Sequence, residues 1–176
     1  MTGSVTFTPV ETDYIAAVRA NYLHRLAARR FWVRAALAIS CAVAVLAGVV
    51  FIFDGDRNAV MVASLSGGIG GAIGLLVCIG IAFAMLPRRT ARLFRQQRTI
   101  HQRFDYSWTE YGLSFRSDTA SGETPWSDFR GWRDTGPAFL IYMNDSLFQF
   151  LPRRALTPEA ADDLRATLER SGLPIY

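Results

Sequence analysis

Residues 64–76 read SLSGGIGGAIGLL and place five glycines in thirteen positions inside a long apolar run. Glycine occurs at this density in loops that bind phosphate through their backbone and in membrane helices that pack closely together. A dinucleotide-binding fingerprint that includes Gly68 and Gly70 needs a third glycine where the chain has Ile73. A Walker-type loop needs a Gly-Lys-Ser/Thr sequence, and the chain has no lysine. The glycines therefore indicate helix packing.

The spacing of these glycines is that of a small-xxx-small motif. Gly67 with Gly71, and Gly70 with Gly74, lie one helical turn apart, which removes side-chain bulk and lets another helix backbone approach. We therefore predict that these four glycines form a helix-packing surface. One possible partner is the same helix of a second subunit. The other is the first apolar segment of this chain, which offers Ala42, Ala44, Ala47 and Gly48.

Two apolar runs dominate the first half of the chain, and 51% of all residues in the protein are hydrophobic. Neither 35–53 nor 59–86 contains a charged residue, and both exceed the ~18 residues that mark a candidate membrane helix. Buried helices of a soluble bundle normally keep a polar face, which both runs lack. The turn-rich sequence DGDRN at 54–58 joins them, so the pair is predicted to be a transmembrane hairpin.

The arginines predict the orientation of this hairpin, because positive residues near a span stay on the cytoplasmic side. Four arginines precede the first run and five follow the second within twelve residues, whereas the tip has Arg57 beside two aspartates. Both termini are therefore predicted to be cytoplasmic, in a two-pass membrane protein. The polar segment 1–30 does not fit a secretory signal. Pro87 is expected to break the second helix at its exit.

The segment 87–103 carries six arginines and no acid, which contributes to a net charge of +4. Anionic lipid headgroups attract basic residues at this position, and Arg88, Arg89, Arg92 and Arg95 are the candidate contacts. The alternative is that they only fix topology. Nucleic acid is the weaker interpretation, because the charge adjoins the bilayer and no aromatic stacking platform accompanies it.

The two remaining parts of the chain are predicted to be soluble. Residues 4–9 read as a strand, followed by a helix that Thr12 caps. From Phe104 onward, six short alternating runs separated by turn residues indicate an antiparallel meander. A final helix has Thr157 as its N-cap. This pattern is the outline of a pleckstrin-homology-like (PH-like) half-barrel, with a predicted core of Phe104, Trp108, Leu113, Phe115, Trp126, Phe129, Trp132, Phe139, Ile141, Phe148, Phe150, Leu164 and Leu168.

Few residues in the chain suggest chemistry. His24 and His101 are the two histidines, and surface or interfacial positions explain them better than catalysis does. Asp54 and Asp56 provide too few oxygens for a calcium loop. Cys41 and Cys78 are interpreted as small, buried thiols. We therefore predict no catalytic residue, cofactor or metal.

Two sites in the C-terminal part have open interpretations. Arg153 and Arg154 are candidate contacts for an anionic headgroup or a protein partner, or they are solvated or salt-bridged within the domain. Trp126 is expected to anchor the core, with Asp128 as a candidate acceptor for its indole N–H.

The segments PWSDFRGW at 125–132 and FQFLPRRAL at 148–156, together with GLSFRS at 112–117 and the two apolar runs, resemble the bacterial YcxB-like family. The resemblance extends over nearly the whole chain. It implies a small inner-membrane protein with a cytoplasmic PH-like domain and supplies no catalytic residues.

The predicted fold is therefore an α+β membrane protein that has a two-helix hairpin and a small antiparallel β domain with a C-terminal helix. Its predicted parts are a cytoplasmic strand and helix (1–30), the hairpin (31–86, with spans at about 33–53 and 60–86), the juxtamembrane segment (87–103) and the β domain (104–176). Two functional hypotheses remain. The first is a non-enzymatic module that contacts the bilayer and an unidentified protein. The second is a subunit of an oligomeric membrane complex, a transporter or channel accessory, assembled through the glycines.

Overall fold

The computed structural model describes residues 3–145 and 147–176, with the backbone alone at Asp54 and Arg98. Ser146, where the last predicted strand begins, lies outside the described residues, as do Met1 and Thr2. The helices are α1 Glu11–Ala27, α2 Arg29–Asp54, α3 Arg57–Gln96 and α4 Pro158–Arg170. The strands are β1 Gly3–Phe7, β2 Phe104–Trp108, β3 Gly112–Arg116, β4 Ser121–Pro125, β5 Gly131–Asp134, β6 Ala138–Tyr142 and β7 Phe148–Pro152. The chain is therefore α+β, with two long apolar helices and antiparallel sheets.

The chain divides into two compact units, 1–20 with 88–176, and 21–87. This division differs from the four consecutive parts expected from the sequence. The reason is that β1 pairs antiparallel with β2, in a register that runs from Gly3 opposite Trp108 to Phe7 opposite Phe104. The β domain therefore contains both ends of the chain, and the helical hairpin is inserted between its first two strands.

The strands form two separate antiparallel sheets. Strands β1 to β4 make the first sheet in chain order, and β5 to β7 make the second. A short 3-10 helix at Trp126–Asp128 separates β4 from β5. The Trp126 indole donates to the Thr109 carbonyl oxygen at 2.9 Å, so the expected acceptor, Asp128, was wrong. The indole instead connects this turn to the β2–β3 loop. No local sequence pattern predicts this contact, because Thr109 and Trp126 are 17 residues apart.

The main core lies between the two sheets and α4. Trp108, Phe139, Leu164 and Leu168 are completely buried there. Four predicted core residues, Phe104, Phe115, Phe148 and Phe150, are only partly buried. The remaining members of the core are Val5, Phe7, Leu113, Trp126, Phe129, Trp132, Ile141, Leu151 and Ala161.

Helix α1 covers the other face of the second sheet. Ala17 is fully buried in a small cluster with Ala138, Leu140 and Tyr142. This contact explains why every residue of β6 is buried, whereas a half-exposed strand would alternate. The helix begins at Glu11, so Thr12 lies inside it and is not the cap that we predicted. The Asp13 carboxylate instead accepts a hydrogen bond from the Val10 N–H at 3.3 Å.

Helix α4 has the termini that the sequence predicts. The Thr157 hydroxyl accepts a hydrogen bond from the Ala160 N–H at 3.2 Å, and Pro158 occupies the first turn, where its missing N–H leaves no helical bond unmade. After the helix ends at Arg170, Gly172 has a φ of +75°. Glycine reverses the chain there at no steric cost.

The second unit is a helical hairpin. Helices α2 and α3 are each long and apolar enough to cross a membrane, and none of their most hydrophobic segments is buried in the protein. Gly55, with a φ of +67°, ends α2 and donates its N–H to the Phe51 carbonyl oxygen. Cys41 and Cys78 are free thiols on exposed helix surfaces, which corrects the prediction that they are buried. Pro87 lies inside α3, so the predicted break at this position was also wrong.

Candidate functional site

The exposed arginines at the end of α3 form the first candidate site. Arg88, Arg89, Arg92 and Arg95, called here the arginine face, are all exposed. The opposite side of the same helix is buried, with Thr90, Ala91 and Phe94 as its inward residues. Because α3 continues past Pro87, helical spacing keeps basic side chains on the outside over two turns.

The arginines of this face are mostly uncompensated. Arg95 Nε lies 3.1 Å from Glu11 Oε2, and both side chains are largely in water, where such a pair contributes little. Among the described side chains, no ion pair involves Arg88, Arg89 or Arg92. The end of α3 therefore presents concentrated positive charge to its surroundings.

Arg153 and Arg154 occupy a different environment, because both bind within the domain. Arg153 Nη2 lies 2.9 Å from Asp134 Oδ2, and its guanidinium stands 5.2 Å from the centre of the Phe139 ring. Arg154 Nε donates to Asp13 Oδ1 at 2.9 Å, and its Nη2 donates to the Thr8 carbonyl oxygen at 3.0 Å. The sequence left open whether these arginines contact a partner or form salt bridges within the domain. In the structure both form salt bridges within the domain.

The environment of Arg154 also stabilises its charge. Hydrogen bonds to the Asp13 carboxylate hold the pKa of the Arg154 guanidinium above its ordinary value. Asp13 lies in the first turn of α1, so this pair fastens α1 to the segment that follows β7. A partner would have to displace an existing bidentate contact to bind Arg154.

The four glycines of α3 divide between two sides of the helix. A Cβ added to Gly67 would lie 3.1 Å from a Leu46 methyl group, and one added to Gly71 would lie 3.3 Å from Ile39. These two glycines therefore face α2 of the same chain. At Gly70 and Gly74, nothing described lies within 4 Å of an added Cβ. Beside the α2–α3 seam runs an apolar groove of about 390 Å³, lined by Ala38, Ile39, Ala42, Val43, Leu46, Gly67, Gly71 and Leu75.

A second candidate site lies in the β domain and was not predicted. It is a cleft of about 270 Å³ where the ends of β1, β2 and β7 meet the start of α1 and residues 97–100. We call it the aromatic cleft, after the rings that line it: Phe7, Tyr14, Phe104, Tyr106, Phe148 and Phe150. Three of these residues, Phe104, Phe148 and Phe150, were predicted only as core residues, because periodicity identifies inward side chains and not the gaps between them.

The rings of the aromatic cleft are held by contacts with one another. Phe7 stacks on Tyr106 with 5.7 Å between ring centres, and Phe150 meets both Phe7 and Tyr14 at about 6 Å. Burial raises the pKa of Tyr106 to about 12. The phenol is therefore neutral under physiological conditions, and the wall it forms carries no charge.

The outer face of the first sheet is polar. Ser4, Ser107, Ser114 and Glu123 lie in one cross-strand row, and Thr6, Asp105, Arg116 and Ser121 lie in the next. The row of small side chains leaves a broad depression of about 650 Å³. A hydrogen bond from Thr6 lowers the pKa of Asp105 below its ordinary value. These groups satisfy one another or face water, as on an ordinary solvated sheet.

The residues considered for chemistry do not come together. The His101 ring packs edge-on against Phe94, with 4.8 Å between ring centres. Asp56 accepts a hydrogen bond from the Asn58 N–H at the start of α3, and the side chain of Asp54 lies outside the description. Within 3–145 and 147–176, no group of three or more His, Cys, Asp or Glu residues is placed to hold a metal ion.

Comparison with known proteins gives a family match within the β domain. Residues 108–168 match the family model described as YcxB-like protein, which confirms the predicted resemblance for this part of the chain. The match begins at the last residue of β2 and ends within α4. No curated protein and no solved structure gives a significant match.

Proposed function

Because residues 108–168 form a YcxB-like domain, we propose that this chain is a membrane-anchored, non-enzymatic interaction module. In this proposal α2 and α3 cross the bacterial inner membrane, and the β domain lies on the cytoplasmic side. The observation that carries it is the pairing of β1 with β2. These strands flank the two apolar helices in the sequence, so their pairing requires both ends of the hairpin on one side of the bilayer.

The architecture of the β domain supports a PH-like assignment. Two antiparallel sheets enclose a core that α4 covers, and β1 supplies a strand that the C-terminal segment alone lacks. The arginine face supports cytoplasmic placement, since basic residues beside a span are retained on that side. The hairpin tip carries Arg57 together with Asp54 and Asp56, so it has no excess of positive charge.

In the proposed arrangement the arginine face binds the anionic inner leaflet. Each basic residue near such a surface contributes about 1 kcal/mol, so the unpaired Arg88, Arg89 and Arg92 together hold the end of α3 at the headgroups. The β domain is thereby kept near the membrane, where it binds an unidentified protein partner. Arg153 and Arg154 are not part of this contact, because their guanidinium groups are already bound to Asp134 and Asp13.

Thiol labelling tests the topology. In a Cys41→Ala/Cys78→Ala background, one variant carries Asn58→Cys at the hairpin tip and another carries Tyr111→Cys in the β domain, where Tyr111 is 76% exposed. In intact spheroplasts we expect an impermeant maleimide to label position 58 and not position 111. After lysis both should react. Labelling of position 111 in intact spheroplasts would contradict the proposal.

Energy transfer tests the leaflet contact separately. A donor dye attached to the thiol of the Tyr111→Cys variant and acceptor-labelled headgroups in anionic nanodiscs report the distance between the domain and the bilayer. We expect Arg88→Gln/Arg92→Gln to lower the transfer at about 0.15 M salt. At 1 M salt we expect the substitutions to have little effect, because salt then screens the attraction between arginine and headgroup beyond about 3 Å. The control Arg116→Gln/Arg170→Gln removes the same charge elsewhere. Equal effects of the two pairs would refute the contact.

One observation favours the second candidate function, a subunit of an oligomeric membrane complex. Gly70 and Gly74 form a helix surface of low bulk on which no described side chain packs. In a bilayer, such a surface permits close approach by a helix of another copy. The two functions differ in the stoichiometry that they require.

A further inference from the structure

The aromatic cleft is an apolar opening in the surface of the β domain. The core between the two sheets is closed around fully buried residues such as Trp108 and Phe139. At the cleft, by contrast, Phe104, Phe148 and Phe150 remain partly exposed around about 270 Å³ of open space. Apolar surface left in contact with water is unfavourable, so an apolar occupant would be stabilised there.

The size of the cleft limits the class of occupant. Sites for drug-sized ligands usually enclose ≈ 300–1,000 Å³, so a cleft of about 270 Å³ can hold part of a single hydrocarbon chain but not a whole lipid. The stacked and tilted rings of Phe7, Tyr106 and Phe150 present an uncharged wall. Such a wall binds by burial of apolar area and provides few directional contacts.

One polar atom in the lining has no partner. Gln149 lies beside the rings, and its side-chain oxygen is buried without a hydrogen-bond donor among the described residues. A buried acceptor in this state costs about 1–3 kcal/mol, which a ligand hydroxyl group would recover. The occupant is therefore expected to carry hydrogen-bond donors near its apolar part.

Basic residues flank one wall segment of the cleft in the sequence. The wall includes Gln97, Thr99 and Ile100, and Arg95 and Arg103 lie at either end of this segment in the sequence. Both guanidinium groups are mostly exposed and are paired only with exposed carboxylates, at 3.1 and 3.5 Å. Exposed ion pairs of this kind are weak, so a phosphate group can compete for these arginines.

We propose that the aromatic cleft binds one acyl chain of an anionic lipid whose headgroup carries hydroxyl groups, as in phosphatidylglycerol. The inference rests on the membrane location proposed above and adds a ligand site to it. The rings take the hydrocarbon, the Gln149 amide takes a headgroup hydroxyl, and Arg95 and Arg103, which flank the cleft segment in the sequence, take the phosphate.

Photo-crosslinking in a bilayer tests this site. The full chain is placed in phosphatidylcholine nanodiscs that contain a small fraction of lipid with a diazirine on one acyl chain, either phosphatidylglycerol or phosphatidylcholine. After illumination, labelled peptides are mapped by mass spectrometry. We expect the phosphatidylglycerol probe to label peptides containing residues 7–14, 99–106 and 147–150, and to do so more than the phosphatidylcholine probe.

A blocking variant and a matched control complete the test. Thr99→Trp places a large side chain in the lining, and Tyr111→Trp places the same side chain at an exposed position away from the cleft. We expect Thr99→Trp to reduce cleft labelling about tenfold, the change produced by a loss of about 1.4 kcal/mol in binding, and Tyr111→Trp to leave it unchanged. Unfolding midpoints of both variants show that the domain remains folded.

The outcomes separate this site from the proposed function. Labelling of α2 and α3 without the cleft peptides overturns the site and leaves the membrane location intact. Equal labelling of the cleft by both probes, or equal labelling in Thr99→Trp and the parent, also overturns it. If neither probe labels α2 or α3, the membrane location itself fails.

Discussion

Tyr106 connects the packing of the β domain to its response to pH. Its ring stacks on Phe7 and lies 6.1 Å from Phe115, so it joins neighbouring strands of the first sheet. Burial favours the neutral phenol and raises the pKa from 10.0 to about 12. The unfolded chain therefore loses this proton at a lower pH than the folded domain does.

The pKa of Tyr106 predicts a loss of stability in alkali. Because the pKa is raised by folding, its contribution is fully present below pH 10 and is lost as pH rises through about 12. Two pKa units correspond to roughly 2–3 kcal/mol. We expect Tyr106→Phe to flatten the decrease in urea midpoint above pH 10, measured on the full chain in detergent. Tyr111→Phe is the control, and an unchanged alkaline decrease in Tyr106→Phe would contradict the assignment.

At the scale of single residues, the sequence predicted correctly those contacts whose partners are close together in the chain. The Thr157 cap was predicted correctly because its partner, Ala160, is three residues away. The partner of Arg154 is Asp13, 141 residues away, and no spacing rule connects the two. The acceptor for Trp126 was wrong for the same reason, because Thr109 is distant in sequence.

Helix α3 combines two environments in one continuous element. Its first part has an 18-residue apolar window that is not buried in the protein, whereas Thr90, Ala91 and Phe94 near its end are buried in the β domain. Pro87 lies between these parts without ending the helix. Proline removes one backbone donor and clashes with the preceding turn, which normally disfavours this position by ~3 kcal/mol. The residues that follow Pro87 in this helix are packed and buried, and a rule based on proline alone does not take such packing into account.

The two glycine pairs of α3 make opposite predictions for substitution. Gly71→Leu forces a side chain against Ile39, and overpacking of this kind costs typically about 1–3 kcal/mol. Gly70→Leu enters open space, so we expect no change in the thermal stability of the hairpin in nanodiscs. The substitutions match in size and helix propensity, so the difference between them isolates packing against α2.

Crosslinking of the same variants in native membranes tests the oligomer hypothesis. If each copy of the chain acts without a second copy, we expect Gly70→Leu to leave the crosslinked species unchanged. Loss of a homo-oligomer in Gly70→Leu would instead favour the complex assembled through Gly70 and Gly74. The sequence alone predicted the same packing role for all four glycines. Their spacing does not show which side of α3 faces α2.

At the scale of the whole molecule, the β domain depends on a strand from the other end of the chain. Val5 and Phe7 of β1 are buried in the main core. The sequence predicted the strand but did not assign it to the C-terminal sheet. Pairing across an insertion is non-local, and alternation within β1 identifies its buried face without identifying its neighbour.

This arrangement predicts how fragments behave. A fragment of residues 88–176 exposes the edge of β2 and the core surface that Val5 and Phe7 cover, so we expect it to aggregate or unfold at lower urea. A fusion of 3–20 to 88–176 through a long Gly/Ser linker should be monomeric and have a dispersed amide NMR spectrum. Equal stability of the two proteins would show that β1 is dispensable.

The pairing of β1 with β2 also constrains biosynthesis. Thr6 and its strand partner Asp105 are 99 residues apart, so at ~5–20 residues per second β1 leaves the ribosome about 5–20 s before β2 exists. In the proposed membrane topology, the nascent amino terminus stays in the compartment where translation occurs while the hairpin is inserted. Any event that carries this terminus through the translocon leaves the carboxyl-terminal sheet without its edge, so maturation of the domain reports faithful insertion.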